Sequence, residues 1–496
     1  KRAFDPHNQL NPGKIATTAP ELKLLAIDAV TMRGDYDRTI PVESWSYQSE
    51  AMYCNGNGAC YNYDPNDAMC PSWKGTRERK HSPKGRASLV REWTRLLGEQ
   101  GQNTQSLAAA EARRVPLLHW IPRAWNTWRR ERGDYDFSNE VYESMSGCLA
   151  CKSCTGQCPV KVDVPEFRAK FLHLYYGRYL RPLKDYFIGT LEFVIPWLAK
   201  RPFKWVYNGL MAAKPVQWFL EHGAGMVDSP RIHRHQLGSL MHKLGIDWAE
   251  ADILQGLPAA ERERSVVIVQ DAFSSFFDTD TVADILRCLQ QLGFRVWVMP
   301  YRANGKPLHV HGFLRTFTWV ARRRQRDFAE LAKSGIPLVG IDPSMTLAYR
   351  SEYKKYLEGD VTPVLLLQEF LGQRLAQLES MQSRFKPGTV KLLGHCTEKT
   401  NAAASMKDWQ SVFSALGLTL EHEAVGCCGM AGTYGHETRN KGTSATIYDL
   451  SWRPLLENQP ADQWVATGYS CRSQAQRQQG ITLKHPLQYL ADRFTG

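Results

Sequence analysis

The sequence predicts an α+β chain in which a helical, cysteine-rich region precedes two copies of one parallel α/β unit. Three observations predict it. Seven of the twelve cysteines lie between Cys54 and Cys158 and four between Cys396 and Cys471, with Cys288 alone between the groups. Val266–Val269 reads as a short buried strand, followed by a helix over Asp278–Leu292 and a second strand at Arg295–Met299. That spacing returns about 124 residues later as Val390–Leu393, a helix ending in Ala-Leu-Gly417, and Leu418–His422.

The 496 residues suffice for three or four domains, and 43% hydrophobic with 23% charged residues is ordinary for a globular chain. Residues 1–20 read as a turn-rich strap and 21–50 as a connecting segment. Residues 51–180 form the cysteine-rich region, with helices such as Arg86–Leu97. A helical connector spans 181–260, interrupted at Pro182, Pro196, Pro202 and Pro215. The first α/β unit covers 265–360, a helical linker 361–388 and the second unit 389–496. The longest apolar stretch, Tyr186–Leu198, contains Glu192 and Pro196 and is too short to span a bilayer. A net charge of +12 suits an acidic small molecule or an anionic membrane surface; no nucleic-acid module is apparent. Cysteines grouped at ligand spacings point to metal binding in a reducing compartment, hence the cytoplasm.

Cys148-Leu-Ala-Cys151-Lys-Ser-Cys154-Thr-Gly-Gln-Cys158-Pro159 is the C-x2-C-x2-C-x3-C-P run of bacterial-type ferredoxins. Three thiolates two residues apart on a tight loop can curl round one cubane. The fourth, before a proline, is thrown outward to a neighbouring cluster. Zinc favours paired C-x2-C knuckles over this run. Upstream, Cys54-Asn-Gly-Asn57-Gly-Ala-Cys60 has Asn57 at the middle cysteine's place, and Cys70-Pro71 supplies the outlying pair. Exchanging the outlying cysteines predicts one complete 4Fe–4S site, Cys148, Cys151, Cys154 and Cys70. The remainder, Cys54, Cys60 and Cys158, is a three-thiolate site for a second cluster or for none. Lys74, Arg77, Arg79, Lys80, Lys84 and Arg86 surround these loops, either raising a cluster's potential or forming a solvated face.

Cys396, Cys427, Cys428 and Cys471 fall at the C-terminal strand edge of the second α/β unit, where open sheets place ligands. The sequence leaves three readings open there: a metal or cluster, reactive thiols, or a structural relic. The first copy carries Ala272, Ala303, Asn304 and Met345 at matching places and keeps only the glycine, Gly305 for Gly429. His395 and His422 read as structural histidines, and Cys288 as core.

Paired cysteine loops followed by two CCG-type units resemble a known group over roughly residues 50–490. These are the iron–sulfur subunits of the glycolate oxidase, anaerobic glycerol-3-phosphate dehydrogenase, lactate-utilisation and heterodisulfide reductase group. Phe4-Asp-Pro and Leu10-Asn-Pro-Gly-Lys-Ile15 are similar to the closing segment of FAD-linked oxidases of the vanillyl-alcohol-oxidase type. The combination resembles FAD- and iron–sulfur-dependent D-2-hydroxyacid dehydrogenases. It implies that this chain is the C-terminal, electron-transfer half of such an enzyme. FAD would then sit on the N-terminal half of the same protein, with Asn11 and Lys14 in its vicinity.

The implied reaction is oxidation of D-2-hydroxyglutarate to 2-oxoglutarate, with electrons passing from reduced FAD through a 4Fe–4S cluster to an acceptor such as a quinone. D-lactate or glycolate is the alternative anionic 2-hydroxyacid, and an assembly module with a structural cluster the non-catalytic alternative. A homo-oligomer, cytoplasmic or peripheral at the inner membrane face, is the expected setting. Departures limit the analogy: Asn57, the thiol-free first copy, and Cys471-Arg-Ser-Gln474 without a second cysteine. No disulfide-reducing activity is implied.

Overall fold

The computed structural model describes residues 1–26, 31–114, 119–457 and 459–495. Among them no strand precedes β1 (Asp247–Trp248). The helical region is built around the helix Val164–Arg178. Asp163 caps it by accepting the Glu166 N–H, Pro165 sits in its first turn, and twelve of its fifteen residues are buried. A helix buried on every side lies at the middle of a core rather than on its surface. Helix Pro83–Glu99, capped by Ser82, buries Ala87, Val90, Trp93 and Leu97 on one stripe. Trp93 meets Phe171 of the central helix edge-on, with ring centroids 4.9 Å apart.

Two parallel sheets follow. The first orders its strands β1-β3-β2-β4-β5, with β2 Ser265–Val269, β3 Arg295–Val298, β4 Leu338–Gly340 and β5 Leu365–Leu366. The second orders β7-β6-β8, with β6 Thr389–Leu393, β7 Thr419–His422 and β8 Trp464–Ala466. Every residue of β2 is buried, as its VVIV run requires of a strand covered on both faces. One hydrophobic core joins the sheets: Val266, Ile268 and Val339 belong to the same cluster as Val390, Leu392 and Val465. Cys288 is fully buried within it, as the sequence predicts.

The internal repeat holds in local detail. Helix Ala272–Phe277 follows β2 and is capped by Asp271; helix Cys396–Asn401 follows β6 and is capped by His395. Gly305 and Gly429 have φ of +85° and +84°. Met345 and Cys471 are each the third residue of their helices, Pro343–Tyr356 and Tyr469–Gln479.

Two expectations need correction. The first sheet reaches beyond 265–360, because Asp247–Trp248 adds an edge strand from the expected helical connector and Leu365–Leu366 another from the expected linker. Two-residue strands are too short to show a period of two. Pro196 also does not interrupt its helix, Leu183–Leu198, but lies in its last turn. Its missing N–H leaves the Glu192 carbonyl free, and the Tyr301 hydroxyl donates to that oxygen at 2.9 Å.

Candidate metal centre

Cys148, Cys151 and Cys154 lie on a loop whose curl is set by left-handed residues, Ala150 at φ +55° and Lys152 at +59°. The Ala150 N–H points at Cys148 Sγ, 3.4 Å away. Cys70 joins them from the start of helix Pro71–Thr76, itself left-handed at φ +38°. These four cysteines line one cavity with Pro71, Pro83, Arg86 and Val164. Backbone N–H groups of Trp73 and Val164 lie near Cys70 and Cys154 and favour their thiolates. Burial pushes the Cys70 thiol up to about 12, with Arg86 opposing it, and lifts Cys154 well above its ordinary value. Buried thiols of this kind become thiolates only when a cation lies among them. Arg86 is buried against the carbonyls of Ser144 and His81 and the Ser72 hydroxyl, and among the described residues no carboxylate pairs with its charge.

In the second predicted set the three cysteines lie near one another. Burial raises the Cys60 thiol, and Cys54 and Cys158 add to the shift from nearby. Asn57 stands outside this set. Its exposed side chain donates to Asn55 Oδ1 at 2.8 Å and accepts the Ala59 N–H at 2.9 Å. Asn57 closes its own loop instead of facing the sulfurs.

Cys396, Cys427, Cys428 and Cys471 form a string in which each thiol lies beside the next and perturbs it. The string begins outside the α/β unit: the Cys151 thiol lies beside that of Cys396, and this neighbour is the main reason the Cys151 thiol is raised. Sequence spacing gives no sign of that junction. It is held by Thr397 Oγ1 donating to the Cys151 carbonyl at 3.0 Å and Asn401 Nδ2 to the Lys152 carbonyl at 3.3 Å. Gly156 is pressed so closely on Thr400 that an added Cβ would lie 2.0 Å from its carbonyl oxygen. Beside the junction a cavity of about 80 Å³ is lined by Cys148, Cys151, Cys396, Cys427, Cys428 and Lys306, among others.

The sulfur spacing discriminates between metals. Among the described residues no three cysteine sulfurs lie within 4.8 Å of one another. One zinc ion with 2.3 Å bonds would hold four sulfurs about 3.8 Å apart. Among the described residues none of these sets has the spacing of a mononuclear site. The one compact trio of ligand types among the described residues is His233, His235 and Asp280, a surface ion pair with His235 Nδ1 2.6 Å from Asp280.

The thiol-free first copy places a carboxylate where its sister has thiols. Glu192 accepts the N–H of Asn304 at 3.3 Å and of Gly305 at 2.6 Å. Burial lifts its carboxyl to about 7, although both N–H groups pull the other way. Glu192→Ala is expected to destabilise the protein by about 1–3 kcal/mol by orphaning those N–H groups. With a folded value near 7 and an ordinary value of 4.5, this group's contribution is complete below about pH 4.5 and falls as pH rises to about 7. Glu192→Gln, which never ionises, is expected to flatten that part of the stability profile in denaturant titrations between pH 5 and 8.

His395 is a satisfied structural residue, its Nδ1 accepting the Thr397 N–H at 3.2 Å and its Nε2 3.2 Å from Ser470 Oγ. His422 is exposed at the end of β7. Asn11 and Lys14 are exposed, joined by a turn in which the Lys14 N–H donates to the Asn11 carbonyl at 3.3 Å. Sequence reading missed the Cys151–Cys396 contact, Glu192 and the buried Lys152, none of which has a motif.

Nearly the whole chain is similar to one class of curated proteins, dehydrogenases of a hydroxy acid. It is 53% identical over 492 residues to the D-2-hydroxyglutarate dehydrogenase of Pseudomonas putida, covering 98% of this chain and 48% of that protein. It is 43% identical over 497 residues to the D-2-hydroxyglutarate dehydrogenase of Escherichia coli K12, again 48% of that protein. The chain thus spans about half the length of the curated relatives it matches. A weaker similarity, 23% over 301 residues, links 58% of the chain to 72% of one of the subunits of the anaerobic glycerol-3-phosphate dehydrogenase of Escherichia coli K12. No protein-family model matches the chain, and no solved structure does.

Proposed function

We propose that this chain is the electron-transfer part of a flavin- and iron–sulfur-dependent D-2-hydroxyacid dehydrogenase that oxidises D-2-hydroxyglutarate to 2-oxoglutarate. The carrying observation is the convergence of Cys70, Cys148, Cys151 and Cys154 on one cavity, with N–H groups near their sulfurs. Similarity to D-2-hydroxyglutarate dehydrogenases over 98% of the chain supports the substrate. A 4Fe–4S cluster held by these four thiolates would accept one electron at a time, dividing the two-electron oxidation of a hydroxy acid on FAD. The chain's own residues orient the site. Ala150 and Lys152 curl the loop, Arg86 places an unpaired cation beside Cys70, and the surrounding helices exclude water. Cys54, Cys60 and Cys158 are the residues for a second cluster, and the string from Cys396 to Cys471 for a further metal. Phe4 is 92% and Ile15 85% exposed, which suits a strap that packs on a flavin-bearing half.

The test is EPR of the full-length enzyme, purified without oxygen and mixed in turn with D-2-hydroxyglutarate, D-lactate and glycolate. A reduced-cluster signal with D-2-hydroxyglutarate at the lowest concentration supports the proposal. A signal with another acid alone would move the substrate and keep the redox role. Iron present but unreduced by any of the three would favour an assembly module.

A further inference from the structure

The helix Leu183–Leu198 is turned inside out. Its only acids, Asp185 and Glu192, face inward, Asp185 pairing with His311 at 3.2 Å and Glu192 holding the Asn304–Gly305 loop. Its outward stripe is Leu183, Phe187, Val194 and Trp197, with Trp197 66% exposed. The next two helices, Phe203–Ala212 and Lys214–Phe219, also expose large apolar side chains, with Trp205 at 69%, Trp218 at 64% and Phe219 at 62% exposed. Scattered apolar residues are ordinary on a protein surface, but this many large ones on three successive helices mark a contact face.

The charges on the face identify what it contacts. Between residues 183 and 220 the exposed ionic side chains are Lys200, Arg201 and Lys214, and the nearest following acid, Glu221, already faces Lys441 at 3.5 Å. Lys200 Nζ lies 4.4 Å from the Trp197 ring. A second copy packed face to face would set these cations against their own kind with no acid to pair them. Interfaces between proteins are also depleted in lysine. Tryptophans interleaved with lysine and arginine, and free of acids, match the boundary between acyl chains and anionic headgroups. Among the described residues no helix is long and apolar enough to cross a membrane.

We propose that this face docks the protein on the surface of an anionic bilayer, with Trp197, Trp205 and Trp218 entering the headgroup region and Lys200, Arg201 and Lys214 meeting lipid phosphates. The inference is independent of the redox reading, since it rests on exposure and charge outside the cysteine sites.

The experiment is co-sedimentation of the full-length enzyme with phosphatidylglycerol-containing and pure phosphatidylcholine vesicles at low and high salt. Binding is expected to the anionic vesicles and to weaken with salt. Lys200→Ala with Arg201→Ala is expected to lower partitioning about thirtyfold. Trp197→Ser with Trp205→Ser is expected to lower it at least about tenfold, with iron content and acceptor reduction unchanged. Equal binding by the wild type and both variants, or no binding to anionic vesicles, would overturn the proposal. So would a smaller assembly on light scattering of the tryptophan variant, which would make the face an interface between copies.

Discussion

Cys151→Ser is expected to strip the enzyme of most of the iron at its principal site and to lower acceptor reduction by more than about 100-fold. That exceeds what altering an outer partner of a metal ligand costs. Cys151 has two roles in the geometry: it faces the cavity shared with Cys70, Cys148 and Cys154, and it lies beside Cys396. Serine keeps the size and removes both. The assignment of the outlying cysteine is sharper still. Cys70→Ser should lose the same iron, because Cys70 lines that cavity. Cys158→Ser should keep it, because Cys158 lies with Cys54 and Cys60. Iron and sulfide analysis with EPR of the dithionite-reduced variants reads both. Full iron in Cys70→Ser would reverse the exchange of outlying cysteines on which the site is built.

That exchange is an expectation drawn from ferredoxin geometry, in which a Cys-Pro pair after a tight cysteine loop is a local signal, and the cavity lined by Cys70, Cys148, Cys151 and Cys154 is consistent with it. The repeat was legible for a similar reason: short buried strands and their glycines recur at a fixed interval, and Gly305 and Gly429 share one backbone conformation. What escaped is long-range. Cys151 and Cys396 are far apart in sequence, and the hydrogen bonds that join their loops come from Thr397 and Asn401, residues of no motif. Glu192 escaped because an acid in an apolar stretch reads as an interruption. In the structure it is the group that satisfies a loop whose thiols are absent. The edge strands β1 and β5 escaped because two residues carry no periodicity.

Lys152→Ala is expected to cost about 3–5 kcal/mol of stability, the usual penalty for leaving a buried charge without its partner. Lys152 lies inside the cysteine loop, 4% exposed, with its Nζ 3.3 Å from Glu352 and 3.7 Å from Asp163. Asp163 keeps Lys355 at 2.8 Å, so Glu352 is the carboxylate that suffers. Lys152, ahead of Lys306 and His309, opposes its burial and holds Glu352 down to about 2, against an ordinary 4.5. A depressed carboxyl stabilises the fold above its unfolded value, so this contribution is present above about pH 4.5 and is lost as pH falls toward 2. The variant should therefore show its deficit in thermal unfolding at neutral pH and converge on the wild type in acid. Lys152→Met with Glu352→Leu removes both charges and should recover much of the loss. The pair also ties the loop between Cys151 and Cys154 to the helix Pro343–Tyr356 of the thiol-free copy. Recovery of stability without recovery of the reduced-cluster signal would show that this tether positions the loop as well as holding the fold. A Lys152→Ala protein as stable as the wild type at pH 7 would mean that water or Lys306 already satisfies Glu352, and that the cysteine loop is anchored by Thr397, Asn401 and Gly156 alone.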